Sequence, residues 1–170
     1  NVNHVKVITM PQPNTLCVID IGKTNKKVLL FDENLTIIDS AYRSFDEYEK
    51  AGVRYEDVEN AFAWIKQQIA EFATRHRISA VSISTHGATA MGVDANGALA
   101  FPPVAYTTEA GDAFDEEFHR EFGSREALQE ETATAEVGSL INLGKLLYFV
   151  KKHWPAEFAA TDRVLFYPQY

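Results

Sequence analysis

The chain has 170 residues, of which 46% are hydrophobic and 24% are charged. This is enough for one well-packed domain, and it excludes disordered, collagen-like and low-complexity proteins, because abundant apolar residues offset the entropy of ordering. Sixteen Lys and Arg against 24 Asp and Glu give a net charge of −8, which argues against a nucleic acid or an anionic membrane as partner. Cys17 is the only cysteine, so an internal disulfide and a cysteine-rich zinc site are excluded.

The N-terminal segment, residues 1–13, is expected to form a tail ahead of the domain. It lacks the apolar core of a signal peptide. No stretch of the chain approaches the roughly 18 apolar residues of a membrane span. We therefore expect a soluble, cytoplasmic protein.

The first predicted elements are three short strands. An apolar run over residues 15–22 ends in glycine, which is typical of a central strand buried on both faces. Runs rich in β-formers over 27–31 and 35–41 flank a turn cluster at 32–34, and this spacing predicts a hairpin.

The rest of the chain predicts helices and strands in alternation. Apolar residues recur with a 3.6-residue period from Val58 to Phe72, which indicates an amphipathic helix. The Asn96-Gly97 pair predicts a hairpin turn between strands over 90–93 and 98–101. The remaining predicted elements are a strand over 78–84, helices over 111–122, 124–132 and 140–154 with Pro155 closing the last, and a strand over 163–167. This order predicts an α/β fold with a mixed sheet.

The best candidate for chemistry is the stretch Asp20-Ile21-Gly22-Lys23-Thr24-Asn25-Lys26-Lys27. A carboxylate at the end of a buried strand needs a partner, and a hydrated Mg²⁺ held together with phosphates is one. Gly22 would let the backbone approach a phosphate, which Thr24, Asn25 and the turn amides could bind, while Lys27 could offset charge. The alternative is a tight turn whose aspartate bonds to its own loop, and the local pattern favours neither.

A second candidate, Thr85-His86-Gly87, follows a predicted strand. Ligands of α/β sheets bind outside the carboxyl ends of the strands, and an imidazole there could bind a hydroxylated substrate or transfer a proton. The alternative is a histidine satisfied by nearby backbone, which is the more common case for an isolated histidine. No Walker A sequence and no G-x-G-x-x-G fingerprint occurs, so P-loop and Rossmann nucleotide sites are excluded.

Taken in order, these segments resemble one family. Residues 15–31, with the pattern Asp20-x-Gly22-x-Thr24-Asn25-x-Lys27, resemble the first phosphate motif of the FGGY carbohydrate kinases, within the actin/hexokinase/Hsp70 superfamily. Residues 82–87 are similar to the family's strand ending in Gln-Met-His-Gly, with Ser84 and Thr85 in place of Gln-Met. Residues 102–106 resemble a strand that ends in a substrate-facing Trp, with Tyr106 in its place, and residues 145–155 and 164–170 are similar to the helix, proline and strand that follow.

The resemblance implies a ribonuclease H-like, actin-like ATPase fold in which ATP and sugar bind between two domains. It implies that Asp20 contacts the ATP-bound Mg²⁺, through water, and that the loop after it holds phosphate. The phosphate-binding residues it implies are Gly22, Lys23, Thr24, Asn25 and Lys27, with Lys23 standing where many members have Thr. The substrate-facing residues it implies are Thr85, His86, Gly87 and Tyr106.

The resemblance also implies that residues 14–170 are only the opening part of the first domain. The catalytic Asp base, the second phosphate motif and the adenine site are expected beyond Tyr170, so that the 170 residues alone are expected to be inactive. The predicted activity is ATP-dependent phosphorylation of a sugar or polyol. The alternatives are an actin-like or Hsp70-like ATPase and a non-enzymatic, sugar-sensing binding domain, and the sequence leaves homo-oligomerisation open.

Overall fold

The structure is a computed structural model that describes residues 14–135 and 137–170. The predicted tail, residues 1–13, lies outside the described residues. In chain order the elements are β1 (Asn14–Ile21), β2 (Asn25–Phe31), β3 (Ile37–Ser44), β4 (Tyr48–Lys50), β5 (Val53–Tyr55), α1 (Val58–Ala73), β6 (Arg77–Thr85), β7 (Ala90–Val93), α2 (Asp112–Phe122), α3 (Arg125–Thr132), α4 (Leu143–His153), α5 (Pro155–Ala159), β8 (Arg163–Phe166) and a 3₁₀ turn (Tyr167–Gln169).

The main sheet has four strands in the order β3-β2-β1-β6. The strand β2 runs antiparallel to both β1 and β3, whereas β6 is parallel to β1. The register sets Asp20 between Lys27 on β2 and Ser84 on β6. Because β1 and β6 are parallel, their carboxyl ends lie side by side, and the segments that follow them meet at one edge of the sheet.

The strand β1 is buried on one face rather than on both, so the prediction from its apolar run was wrong in this respect. Its alternate residues Cys17, Ile19 and Ile21 are buried against α1, and burial raises the pKa of the Cys17 thiol. The residues between them, including Asp20, are half-buried. The helix α1 covers this face over β1 and β2, whereas Ile83 on β6 stays exposed, so the edge strand carries apolar side chains on an open surface.

The second half of the chain builds its own core around α2 and α4. Phe114 and Phe118 of α2 pack with Leu146, Phe149 and Val150 of α4. The apolar stripe over residues 140–154 predicted α4 correctly, because residues three and four apart on a helix share one face, and α2 forms where a short helix over 111–122 was predicted. Pro155 does not only end α4, since it is also the first residue of the short helix α5.

One prediction of strand pairing fails. The turn at Asp94 forms, and its carboxylate accepts from the N–H groups of Asn96 and Ala98, but residues 98–101 form only an isolated bridge to β7. The partner of β7 is β8, which comes from far along the chain. The hairpin of β4 and β5 was not predicted. None of the helices in the described part of the chain has the length and apolar content needed to span a bilayer.

Candidate functional site

The turn between β1 and β2 is closed by a backbone hydrogen bond. The Gly22 N–H donates to the carbonyl oxygen of Asn25 at 3.0 Å. A Cβ atom at position 22 would lie 2.9 Å from that same oxygen, so a side chain there would force the turn open. The Asn25 side chain accepts from the Ser44 hydroxyl at 2.8 Å, and Thr24 is exposed at the tip. The turn is therefore compact, with Thr24 and Asn25 exposed to solvent.

The buried residue Lys26 holds this turn from behind. It is 1% exposed, and its Nζ donates to the carbonyl oxygens of Gly22 at 2.8 Å and Lys23 at 3.0 Å. Burial lowers the pKa of Lys26, and the charge of Lys23 lowers it further, whereas Glu56 acts in the opposite direction. The sequence interpretation left Lys26 out of the site. A signal for it existed, because Lys26 alternates with the inward-facing Val28 and Leu30 on β2.

Asp20 forms an ion pair with Lys27 on the neighbouring strand. The Lys27 Nζ donates to the Asp20 Oδ2 at 2.8 Å, and both side chains are about one-third exposed. This hydrogen bond raises the pKa of Lys27, so the ammonium stays charged. The Asp20 carboxylate is thus accessible, paired with a cation and placed next to the turn.

The residues present allow one kind of magnesium site. Among residues 14–135 and 137–170, no group of three or more His, Cys, Asp or Glu side chains gathers to hold a metal ion. A metal at Asp20 would therefore depend on one carboxylate, with water and phosphate oxygens completing its shell. Mg²⁺ accepts this arrangement, because it keeps several waters and is commonly bound by one or two carboxylates and a nucleotide.

Lys23 turns its side chain away from the tip of the turn and into a pair of carboxylates. Its Nζ lies 2.7 Å from the Glu56 Oε1, makes a close ion pair with Glu47, and lies 4.5 Å from the centre of the Tyr106 ring. Glu56 is 4% exposed, and its backbone N–H donates to the Pro103 carbonyl oxygen at 2.9 Å. Because its ammonium is bound in this way, the group of Lys23 that remains for a ligand at the β1–β2 turn is its backbone N–H.

His86 lies at the carboxyl end of β6 and is joined to β1. Its backbone N–H donates to the Ile21 carbonyl oxygen at 3.1 Å. The imidazole lies between two aromatic rings, with ring centres 5.5 Å from Tyr106 and 5.2 Å from Tyr167. Neither ring nitrogen forms a hydrogen bond to any described residue, and the Nε2 lies 3.7 Å from the Glu56 Oε1. Nearby backbone therefore satisfies the main chain of His86 but not its ring.

The surroundings of His86 keep its ring neutral. Burial lowers its pKa, and the positive charges of Lys23 and Lys26 act in the same direction, while Glu56 opposes them. A neutral imidazole has one donor and one acceptor nitrogen, and a sugar hydroxyl both donates and accepts. The ring is thus chemically suited to bind a hydroxyl group.

The structure brings the two predicted groups of site residues to one place. The stretch 20–27 and the segment 85–87 meet through the contact of His86 with Ile21, and Tyr106 contacts both Lys23 and His86. Thr85 donates its hydroxyl hydrogen to the His86 carbonyl oxygen at 2.9 Å, so it shapes the segment. Gly87 is exposed beside it.

Sequence reasoning missed Glu47 and Glu56, the carboxylates that join these groups. Both lie more than 20 residues from the turn along the chain, in a stretch that carries no motif. Their alignment with Lys23 depends on the β4–β5 hairpin and the start of α1, and the sequence pattern did not predict that hairpin.

The fold and this site agree with the sequence-family match. The profile of the FGGY family of carbohydrate kinases, N-terminal domain, matches residues 15–170, and the chain belongs to this family. The expected fold class, a mixed α/β domain with a mixed sheet of the actin-like ATPase type, is confirmed. A comparison with curated proteins gives no match.

Solved structures of carbohydrate kinases share the fold. A carbohydrate kinase from Novosphingobium aromaticivorans is 25% identical and superposes with a TM-score of 0.80 over 91% of this chain and 32% of its own. A ligand-bound xylulose kinase from Lactobacillus acidophilus is 17% identical, with a TM-score of 0.71 over 89% of this chain and 31% of its own. The glycerol kinase of Plasmodium falciparum with ADP is 18% identical, with a TM-score of 0.65 over 85% and 30%. The chain thus spans about a third of the length of these structures.

Proposed function

We propose that this chain carries the first phosphate site and part of the sugar site of an ATP-dependent carbohydrate kinase. The observation that carries the proposal is the Gly22 turn, held from behind by Lys26 and lying beside the accessible carboxylate of Asp20, in a chain of the FGGY family. The solved relatives are about three times as long. In this proposal the catalytic base and the adenine site belong to a part of the kinase outside these 170 residues.

The phosphate end of the reaction would use the β1–β2 turn. Gly22 lets a phosphate approach the backbone, and the N–H groups of Lys23 and Thr24 bind its oxygens. Asp20 would hold Mg²⁺ through water, and the metal would neutralise charge on the transferred phosphoryl group. Lys27 fixes the position of the Asp20 carboxylate through their 2.8 Å hydrogen bond.

The acceptor end would use His86 and Tyr106. The neutral imidazole binds a sugar hydroxyl, because both of its ring nitrogens lack partners among the described residues. The Tyr106 ring, against which His86 and Lys23 pack, offers an apolar surface to the carbon face of the sugar. These residues orient the hydroxyl toward the phosphate, and this positioning supplies a large share of catalysis in phosphoryl transfer.

The sugar remains a class in this proposal: a sugar or polyol with a free hydroxyl. Membership of the FGGY family supports a kinase over the alternatives of an actin-like or Hsp70-like ATPase and a non-enzymatic sugar-binding domain. A cytoplasmic location, where ATP is available, stays a prediction.

The test is a screen of ADP release by the complete kinase across ketoses, aldonic acids and polyols. Asp20→Asn should lower kcat by about a hundredfold or more, because it removes the carboxylate that would hold the metal beside the turn. Asp112→Asn, at an exposed position at the start of α2, is the matched control and should turn over normally. Carbohydrate-independent ADP release, or near-normal turnover by Asp20→Asn, would contradict the proposal.

The sugar end has its own test. His86→Gln should raise the KM for the best carbohydrate while leaving the KM for ATP unchanged, because the ring is placed at the acceptor end. An equal rise of both KM values would show instead that His86 supports the fold of the whole site.

A further inference from the structure

We infer that Lys26 is a positioning residue that aims the backbone N–H groups of Lys23 and Thr24 at a bound phosphate. The inference deepens the proposed function and rests on a phosphate binding at the β1–β2 turn. Lys26 itself is buried behind that turn and cannot touch the phosphate. It acts through the two carbonyl groups that it binds.

The argument begins with the geometry of the peptide unit. The chain has no cis peptide bond among its described residues, and in a trans peptide the C=O and the following N–H point in opposite directions. The carbonyls of Gly22 and Lys23 both point to the Lys26 ammonium. The N–H groups of Lys23 and Thr24 therefore both point away from the core, toward the exposed tip of the turn.

Two successive N–H groups that point the same way form a concave site for an anion. In the described part of the chain, neither the Lys23 N–H nor the Thr24 N–H donates to another group. The Gly22 N–H does not share this role, because it closes the turn by donating to Asn25. The turn thus separates its donors into one that holds its shape and two that remain available.

A charged residue at position 26 is costly unless it serves this geometry. The next inward-facing positions on β2 hold Val28 and Leu30, and an apolar residue would be ordinary at position 26 as well. An ammonium there gives up most of its hydration. What it supplies in return is a donor for two carbonyls that would otherwise face the core without partners.

The test compares Lys26→Met and Lys26→Gln in the complete kinase, with Lys145→Met as the control. Lys145 is also fully buried, but it lies in α4, away from the turn. Lys26→Met should raise the KM for ATP about tenfold, as expected for the loss of about one well-placed hydrogen bond, and leave the KM for the carbohydrate unchanged. Lys26→Gln keeps a donor and should show a smaller rise. Lys145→Met should lower stability and change neither KM.

A merely structural role for Lys26 gives a different result. If both variants of Lys26 unfold, or if they lose stability without a change in the KM for ATP, Lys26 stabilises the fold alone and the inference is overturned.

A second measurement separates this inference from the proposed function. Inorganic tripolyphosphate, titrated calorimetrically, needs only the phosphate site. If no carbohydrate stimulates ADP release, the proposed function fails. The inference still stands if wild type binds tripolyphosphate about tenfold more tightly than Lys26→Met. Equal binding, or no binding to wild type, overturns it.

Discussion

The two fully buried lysines among residues 14–135 and 137–170 are stabilised in different ways. Lys145 in α4 lies 2.8 Å from the Asp115 Oδ1 on α2, and it also donates to the Val137 carbonyl oxygen at 3.1 Å. Its ion pair ties together two helices that are 30 residues apart. Lys26 instead donates to the carbonyls of its own turn, Gly22 and Lys23. The first lysine joins distant elements of the fold, and the second organises a few residues at a site.

The polar groups beside the two lysines also differ in their hydrogen bonding. Beside Lys26, the ring nitrogens of His86 have no partner among the described residues, although they are buried. Beside Lys145, the Tyr148 hydroxyl donates to the Glu121 carboxylate at 2.7 Å. Buried polar groups without partners are rare in folded proteins and occur at functional sites. The comparison shows that the buried lysine of the candidate site lies beside an imidazole without hydrogen-bond partners, whereas the buried lysine of α4 lies beside a tyrosine that is hydrogen-bonded to a carboxylate.

The largest expected loss of stability comes from breaking the ion pair between Lys145 and Asp115. Lys145→Met should lower the free energy of unfolding by about 3 kcal/mol, because it leaves Asp115 without its buried partner. Urea unfolding followed by circular dichroism measures the change. The double variant with Asp115→Asn should lose less than the sum of the two single variants, and simple additivity would show that the pair does not stabilise the fold.

A smaller loss of unfolding free energy is expected from changing Glu56, the carboxylate next to Lys23 that also acts on the pKa of Lys26. Glu56→Gln should cost about 2 kcal/mol of unfolding free energy, because it removes a buried negative charge that lies 2.7 Å from the Lys23 ammonium. It should also lower the pKa of His86 further, since Glu56 acts to raise that pKa. Urea unfolding and an NMR titration of the imidazole measure the two effects. Glu49→Gln, at an exposed position on β4, is the control, and an equal effect there would contradict the prediction.

A third, smaller loss of unfolding free energy is expected at the contact between α2 and α4. Tyr148→Phe removes hydroxyl hydrogen bonds to Glu121 at 2.7 Å and Glu117 at 3.2 Å. Both carboxylates can rehydrate, so the unfolding free energy should fall by only about 1 kcal/mol. The kinase KM values should not move. A change in either KM would mean that the α2–α4 contact reaches the site.

The smallest expected effect is a pH dependence of stability that arises at His86, the buried imidazole beside Lys23 and Lys26. Because the pKa of His86 lies below its ordinary value of 6.5 in the folded chain, the unfolded chain binds the proton first as the pH falls. Stability contributed by the neutral ring is therefore present at pH 7.5 and declines below about 6.5, until the folded pKa is passed. Burial is the main cause of the lowered pKa of His86; Glu56 acts to raise that pKa, and the charges of Lys23 and Lys26 lower it further.

The measurement is the urea midpoint at pH 7.5 and pH 5.5 for wild type and His86→Gln. The variant should lose less stability on acidification than wild type does. An identical loss in both proteins would assign the pH dependence to other groups.

Much of the fold was accessible from local patterns. The apolar run over residues 15–22 predicts the strand β1, although not that only one of its faces is buried, and the 3.6-residue recurrence from Val58 to Phe72 predicts the helix α1. The β4–β5 hairpin was not predicted, because its strands have only three residues each. They are joined by a turn through Ala51 and Gly52, both of which have positive φ. The strand predicted over 98–101 failed for another reason. β7 pairs with the distant Arg163–Phe166, and local spacing cannot reveal such a partner.

The candidate site likewise contains residues that local sequence could predict and residues that it could not. Asp20, Gly22 and His86 stand out because each is unusual at the end of an apolar strand. Glu56 carries no such signal, because a glutamate before a helix is ordinary, and only the packed chain brings it to Lys23. Local sequence thus predicts groups that lie on strand ends, whereas the contacts that tune their charge come from the tertiary fold.

Because Cys17 is buried in β1, the rate at which a reagent labels its thiol can report how often this strand opens. The thiol lies in the middle of β1 opposite Leu30 and Val81, is fully buried, and has its pKa raised by that burial. A thiol reagent can therefore modify it only when β1 separates from its neighbours, and no second cysteine competes for the label. The rate of labelling then measures how often the strand that carries Asp20 opens, and a ligand that binds the β1–β2 turn should slow it.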